Sequence, residues 1–206
     1  ILTAAISAID IALWDIKGKA LGVPCYELFG GRVRDKVVCY PHNVGHRMEV
    51  KELVESCLQT KEEGWKFVRW GLPQDGDILE PRQSVLASIK QFHAVREAVG
   101  DDIELTFDVH TRLDLPDVVW LCREVESTRP YFIEDPLRCE NPDSFKTLRP
   151  RVHVPIAAGE QFSSKWEFRQ LIEEEWIDYA RVDLCIAGGF TEARKITGWC
   201  ETHYIK

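Results

Sequence analysis

From Ala4 onward, apolar residues recur at positions 4, 5, 8, 9, 12, 13, 16 and 20, the period of an α-helix. Gly22 and Pro24 end that helix, and Gly30-Gly31 marks the loop that follows. Beyond the loop one unit repeats: a short apolar run, a polar loop, then an amphipathic stretch. The strand-like runs fall at 37–40, 67–71, 103–109, 131–133, 155–158 and 179–184. Helix-like segments lie near 50–63, 80–99, 114–127, 142–148, 164–174 and 190–202. Strands alternating with helices predict parallel βα units and an α/β fold, as a doubly wound sheet or a (β/α) barrel. Residues 202–206 read as the approach to a further strand. A complete barrel takes about 250 residues, so a barrel reading of this chain is an incomplete one. The segments divide into a helix and loop over 1–35 and barrel strands one to six, with the start of a seventh, over 36–206.

Composition narrows the classes. The chain has 206 residues, 45% of them hydrophobic, enough for one large core. Its formal net charge of -8 argues against a general nucleic-acid or membrane-surface partner, and no apolar run approaches the roughly 20 residues that cross a bilayer. The opening residues lack a basic leader and run straight into the helical pattern, which reads as a cut end and not a signal peptide. The seven cysteines are odd in number and none has C-x-x-C spacing. They fit neither a disulfide framework nor a zinc site, and several lie in apolar runs, as reduced core thiols of a cytoplasmic protein do.

Acids close successive strand-like runs. Asp108, Glu134 and Glu160 lie 26 residues apart in turn, and Asp183 follows after 23, one βα unit per step. In a parallel barrel all strand C-termini share one rim, where active sites form. One acid at a strand end is an ordinary solvated loop residue or helix cap. Three at matched spacing, each directly after an apolar run, form a site. Three carboxylates in a small space repel one another unless a cation lies among them, and an all-oxygen ligand set selects a hard ion such as Mg²⁺ or Mn²⁺.

With these residues the chain resembles the enolase superfamily, in its mandelate racemase-like branch. Ala12-Leu13-Trp14-Asp15-Ile16-Lys17-Gly18-Lys19, Leu28-Phe29-Gly30-Gly31, Ile133-Glu134-Asp135-Pro136, Ala158-Gly159-Glu160 and Ala187-Gly188-Gly189-Phe190-Thr191-Glu192 carry the resemblance. It implies a (β/α)₇β modified barrel preceded by an α+β capping domain. On that reading the chain begins after most of the cap and stops before the last strands. The resemblance also implies one Mg²⁺ held by Asp108, Glu134 and Glu160. That ion binds the substrate carboxylate and stabilises the enediolate formed when the proton alpha to it is removed. A small-molecule acid and a homo-oligomeric assembly are implied as well.

The acids and bases choose the reaction. His110 follows Asp108 by two residues, so on a continuing strand both would face the same side. Asp108-x-His110-x-Arg112 resembles the galactonate and mannonate dehydratases, where such a histidine protonates a departing β-hydroxyl or serves as base. Asp183 matches an aspartate that orients a histidine on the next strand, which this sequence does not contain. Where relatives that racemise carry Lys-x-Lys, this chain has Arg69-Trp70-Gly71. A guanidinium is a poor base but a good carboxylate clamp, so Arg69, with His42 and Arg112, is assigned to substrate binding. The expectation is a Mg²⁺-dependent dehydratase of an acid sugar. The alternatives are a racemase or epimerase of the same superfamily, or a non-catalytic homologue or inactive fragment.

Overall fold

The computed structural model describes residues 2–41, 49–74 and 79–206. His42 therefore lies outside the described residues. Among the described residues five strands form one sheet in chain order: β1 (Phe67–Gly71), β2 (Glu104–Asp108), β3 (Phe132–Glu134), β4 (Ile156–Ala158) and β5 (Tyr179–Ala180). The pairings β1–β2, β2–β3 and β3–β4 are all parallel. Among the described residues eight α-helices accompany them: α1 (Leu2–Leu21), α2 (Cys25–Leu28), α3 (Val50–Glu62), α4 (Arg82–Val99), α5 (Leu115–Val125), α6 (Ser144–Leu148), α7 (Lys165–Glu173) and α8 (Gly189–Thr202). No described helix is long and apolar enough to cross a membrane.

Each predicted helix is present within a few residues of its expected place. Two strand expectations change. The run 37–40 is not a strand of the sheet, and Val37 and Val38 are exposed. The run 179–184 is a strand only at Tyr179–Ala180, after which the chain turns towards α8. Apolar composition marks a strand only where a neighbouring ladder pairs with it.

The chain divides into two compact units. The larger comprises residues 39–158 and 176–179. In it, the register pairs Arg69 with Thr106, Trp70 with Phe107, and Asp108 with Glu134. Parallel partners face the same side, so the sheet sorts its residues cleanly. Val68, Trp70, Leu105, Phe107, Ile133 and Ile156 share the outer face, and all are buried. Beneath α4 the Trp70, Phe92 and Phe107 rings pack with centroids 4.7, 5.0 and 5.6 Å apart, geometry that adds to the area they bury. The inner face carries Arg69, Thr106, Asp108, Phe132 and Glu134. Near its N-terminal edge Phe67, Tyr131, Phe132 and Tyr179 stack as an aromatic floor.

The smaller unit comprises residues 1–38, 159–175 and 180–206, with α1 and α7 both packed on α8. The Gly188 N–H donates to the Ser7 hydroxyl at 2.9 Å. Asp10 accepts the Thr191 N–H at 3.1 Å and also the Thr191 hydroxyl. Trp14 Nε1 donates to Thr191 Oγ1 at 3.0 Å, and the Trp14, Phe29 and Phe190 rings stack in turn. Signature residues from opposite ends of the sequence thus meet, and a side chain of α1 satisfies donors that begin α8.

Candidate metal and acid–base site

Asp108 and Glu134 end β2 and β3 side by side on the inner face, 3% and 0% exposed. Two buried carboxylates in adjacent register need a counter-charge, and Arg69 supplies it. Its Nη2 donates to Asp108 Oδ2 at 2.9 Å and its Nε to Glu134 Oε2 at 3.1 Å. Burial alone would lower the Arg69 pKa, but Glu134 and Asp108 more than reverse this, and the net shift is upward. Gly71 stands beside Asp108 in the ladder. Asp108 Oδ1 is buried and has no hydrogen-bond partner among the described residues.

His110 reaches this site by a different route from the one expected. The strand ends at Asp108, so strand alternation does not place His110. His110 and Thr111 instead take left-handed φ values of 55° and 59°. The turn is held from β3 and the residue after it: Val109 donates to the Glu134 carbonyl at 3.0 Å and Thr111 to the Asp135 carbonyl at 2.8 Å. Such bonding sustains a backbone conformation that L-residues rarely adopt. The turn leaves the His110 side chain about half exposed, with Nδ1 3.4 Å from Asp108 Oδ2. Arg112 follows, half-buried, and its Nη1 is buried without a hydrogen-bond partner among the described residues.

Two residues were not singled out individually from sequence. Asp135 is 5% exposed at φ 39°, next to Glu134, its N–H bonded to the Ala157 carbonyl at 2.8 Å. Its place inside Glu-Asp-Pro was the available signal. Tyr40 sets its ring 5.8 Å from the Arg69 guanidinium carbon, a contact that no local motif announces.

The remaining candidates belong to the smaller unit. Glu160 lies two residues past the end of β4. Gly159, at φ 123°, turns the chain into it, and a Cβ at Gly159 would come 2.3 Å from the Phe168 ring. Glu160 and Asp183 line one cleft of about 430 Å³ together with Arg181 and Thr197. Asp183 lies past the end of β5, and its Oδ1 accepts the Cys185 N–H at 2.7 Å.

Residues 52–206 match the family Enolase C-terminal domain-like, and residues 1–30 match the mandelate racemase / muconate lactonizing enzyme N-terminal domain. The chain belongs to the enolase superfamily. It is 38% identical over 205 residues to a D-galactonate dehydratase of Pectobacterium atrosepticum, covering 100% of this chain and 53% of that protein. It is 35% identical over 228 residues to a D-mannonate dehydratase of Caulobacter sp. (strain K31), covering 98% and 56%. Among solved structures, the 3,6-anhydro-D-galactonate cycloisomerase of Zobellia galactanivorans superposes with a TM-score of 0.86 at 32% identity, covering 100% of this chain and 55% of that one. The chain spans about half the length of the curated relatives it matches.

Proposed function

We propose that this chain carries the metal ligands and part of the acid–base apparatus of a Mg²⁺-dependent dehydratase acting on an acid sugar. The observation that carries the reading is the buried pair Asp108 and Glu134 with its spare oxygen, Asp108 Oδ1. A buried carboxylate oxygen without a donor is costly and fits a cation ligand. The available donors are oxygens, which suit Mg²⁺. Asp108, Glu134 and, from the following βα unit, Glu160 would hold it. When bound, the ion polarises the substrate carboxylate and stabilises the negative charge left when the alpha proton departs.

The chain's own groups supply part of the rest. His110 is exposed enough to meet a substrate and sits beside Asp108, which can orient its ring. It donates a proton to the leaving β-hydroxyl. Arg112 offers a guanidinium N–H to a substrate oxygen. Asp183 would orient the histidine that the resemblance places on the next strand, a residue this sequence does not contain, and that histidine would take the alpha proton. The product enol then tautomerises to a 2-keto-3-deoxy acid. On β1 the inner-face residues are Phe67, Arg69 and Gly71, so this strand offers no lysine as a second base for racemisation. The names of the two dehydratase relatives agree with elimination.

Two measurements test the proposal. Mn²⁺ and Mg²⁺ titrations should show one site, lost in Asp108→Asn and Glu134→Gln. A library of aldonic acids should yield a 2-keto acid with at least one member. Turnover of mandelate or a dipeptide with every acid sugar inert would sink the dehydratase reading.

A further inference from the structure

We infer that Arg69 is a positioning residue for the ligand carboxylates, fixed in place before and after a divalent cation binds, and not a clamp for the substrate. The inference rests on the metal reading of Asp108 and Glu134 given above.

The geometry of the fork argues for it. Nε and Nη2 of one planar guanidinium contact two different carboxylates, one oxygen of each. The two N–H directions are fixed relative to each other by the plane of the group. The guanidinium therefore sets the spacing and tilt of Asp108 and Glu134 together. Lysine at this position would supply the same charge without the fixed angle.

The surroundings keep Arg69 in that role. It is 6% exposed, with the Tyr40 ring 5.8 Å from its guanidinium carbon. Withdrawal on metal binding would leave a buried guanidinium without its anions, which is strongly unfavourable. At Asp108 the two oxygens divide the work. Oδ2 accepts from Arg69, whereas Oδ1 is buried and without a hydrogen-bond partner among the described residues. A cation approaching Oδ1 need not displace the arginine. The guanidinium also sets a positive charge directly against both acids.

The chain labelled with [¹⁵N]arginine provides the direct test. The Arg69 Nε–H should exchange with solvent at least ~100-fold more slowly than the exposed arginines, equally without Mg²⁺ and at saturating Mg²⁺. Arg69→Lys, which keeps the charge, should weaken Mn²⁺ binding about ten- to hundredfold while its far-UV circular dichroism stays that of the wild type. Loss of Nε–H protection when Mg²⁺ binds overturns the inference. So does wild-type Mn²⁺ affinity in Arg69→Lys, above all with a raised KM for substrate, the signature of a clamp. If Arg69→Lys fails to fold, the exchange measurement on the wild type decides alone. Absence of Mn²⁺ binding by the wild type would instead overturn the underlying metal reading, and this role with it.

Discussion

The Phe168 ring occupies the space that a side chain on Gly159 would need: a Cβ there would lie 2.3 Å from Phe168 Cε1 and 3.2 Å from the Arg181 carbonyl oxygen. Gly159 also sits at φ 123°, in the region L-residues avoid. The residue before Glu160 is thus fixed twice, by backbone and by packing. Gly159→Ala should destabilise the protein by roughly 2–4 kcal/mol, combining backbone strain with overpacking. On the proposed role of Glu160 as a metal ligand, it should also weaken Mn²⁺ binding. Urea denaturation of Gly159→Ala in wild-type and Phe168→Leu backgrounds separates the terms. The alanine should cost less when the ring is smaller, and equal cost in both backgrounds would refute the packing argument.

Asp10 makes a comparable contact at long range. Its carboxylate accepts from both the backbone and the hydroxyl of Thr191 in the first turn of α8, and a Cβ on Gly189 would come 2.4 Å from its Oδ2. The first N–H groups of a helix have no partner within it, and a negative charge there is favourable. Asp10→Ala should cost about 1–2 kcal/mol, within the range for lost caps. Ser7→Ala, which loses the acceptor for the Gly188 N–H, should cost about 1 kcal/mol. Thermal or urea unfolding of the two variants measures both, and no change in either would show that α1 does not cap α8.

A third expectation concerns acid. Glu192 accepts from Lys165 at 2.8 Å and from Lys195. Burial would raise its pKa, but the two lysines outweigh burial and hold it below the usual 4.5. A carboxylate whose folded pKa is depressed contributes stability above its unfolded pKa. That contribution is lost as pH falls through the folded value. The group is partly exposed, so the gain is modest, about 0.5–1 kcal/mol. Glu192→Gln should therefore be less stable than the wild type at pH 7, with the gap closing below about pH 4.5. A gap that stays constant from pH 7 to pH 3 would assign the loss to something other than the charge.

The helices were readable because amphipathic spacing and glycine or proline stops are local properties. α4 is expected at 80–99 and found at Arg82–Val99. α7 is expected at 164–174 and found at Lys165–Glu173. Periodicity did not say which face would be covered. Leu2, Ile6, Ile9, Leu13 and Ile16 form a stripe along α1 that is exposed among the described residues, while α1 buries Ser7 and Gly18. Strand ends were readable at Asp108 and Glu134 because each acid follows an apolar run directly. They were less so at Asp183, where the strand stops three residues early. Two features needed the fold itself. The i, i+2 rule could not place His110, because its premise ends with β2 at Asp108. The reach of Arg69 to carboxylates on two other strands depends on parallel register, which no local pattern encodes.

The cysteines offer a test of the core that needs no substitution. Burial pushes the Cys57 and Cys122 thiols up to about 12 and Cys200 up to about 11. The thiolate is the reacting form, so at pH 8 only about one Cys200 thiol in a thousand would be ionised, and fewer of the other two. These three are also shielded sterically, whereas Cys39 and Cys185 are exposed. A short pulse of iodoacetamide on the native protein at pH 8, read by mass spectrometry, should label Cys39 and Cys185 first. The half-buried Cys25 and Cys139 should follow. Cys57, Cys122 and Cys200 should remain unmodified until denaturant is added, when all seven react. Labelling of Cys57 or Cys122 at the rate of Cys39, with the fold intact by circular dichroism, would show that the faces of α3 and α5 carrying these thiols are not buried as described.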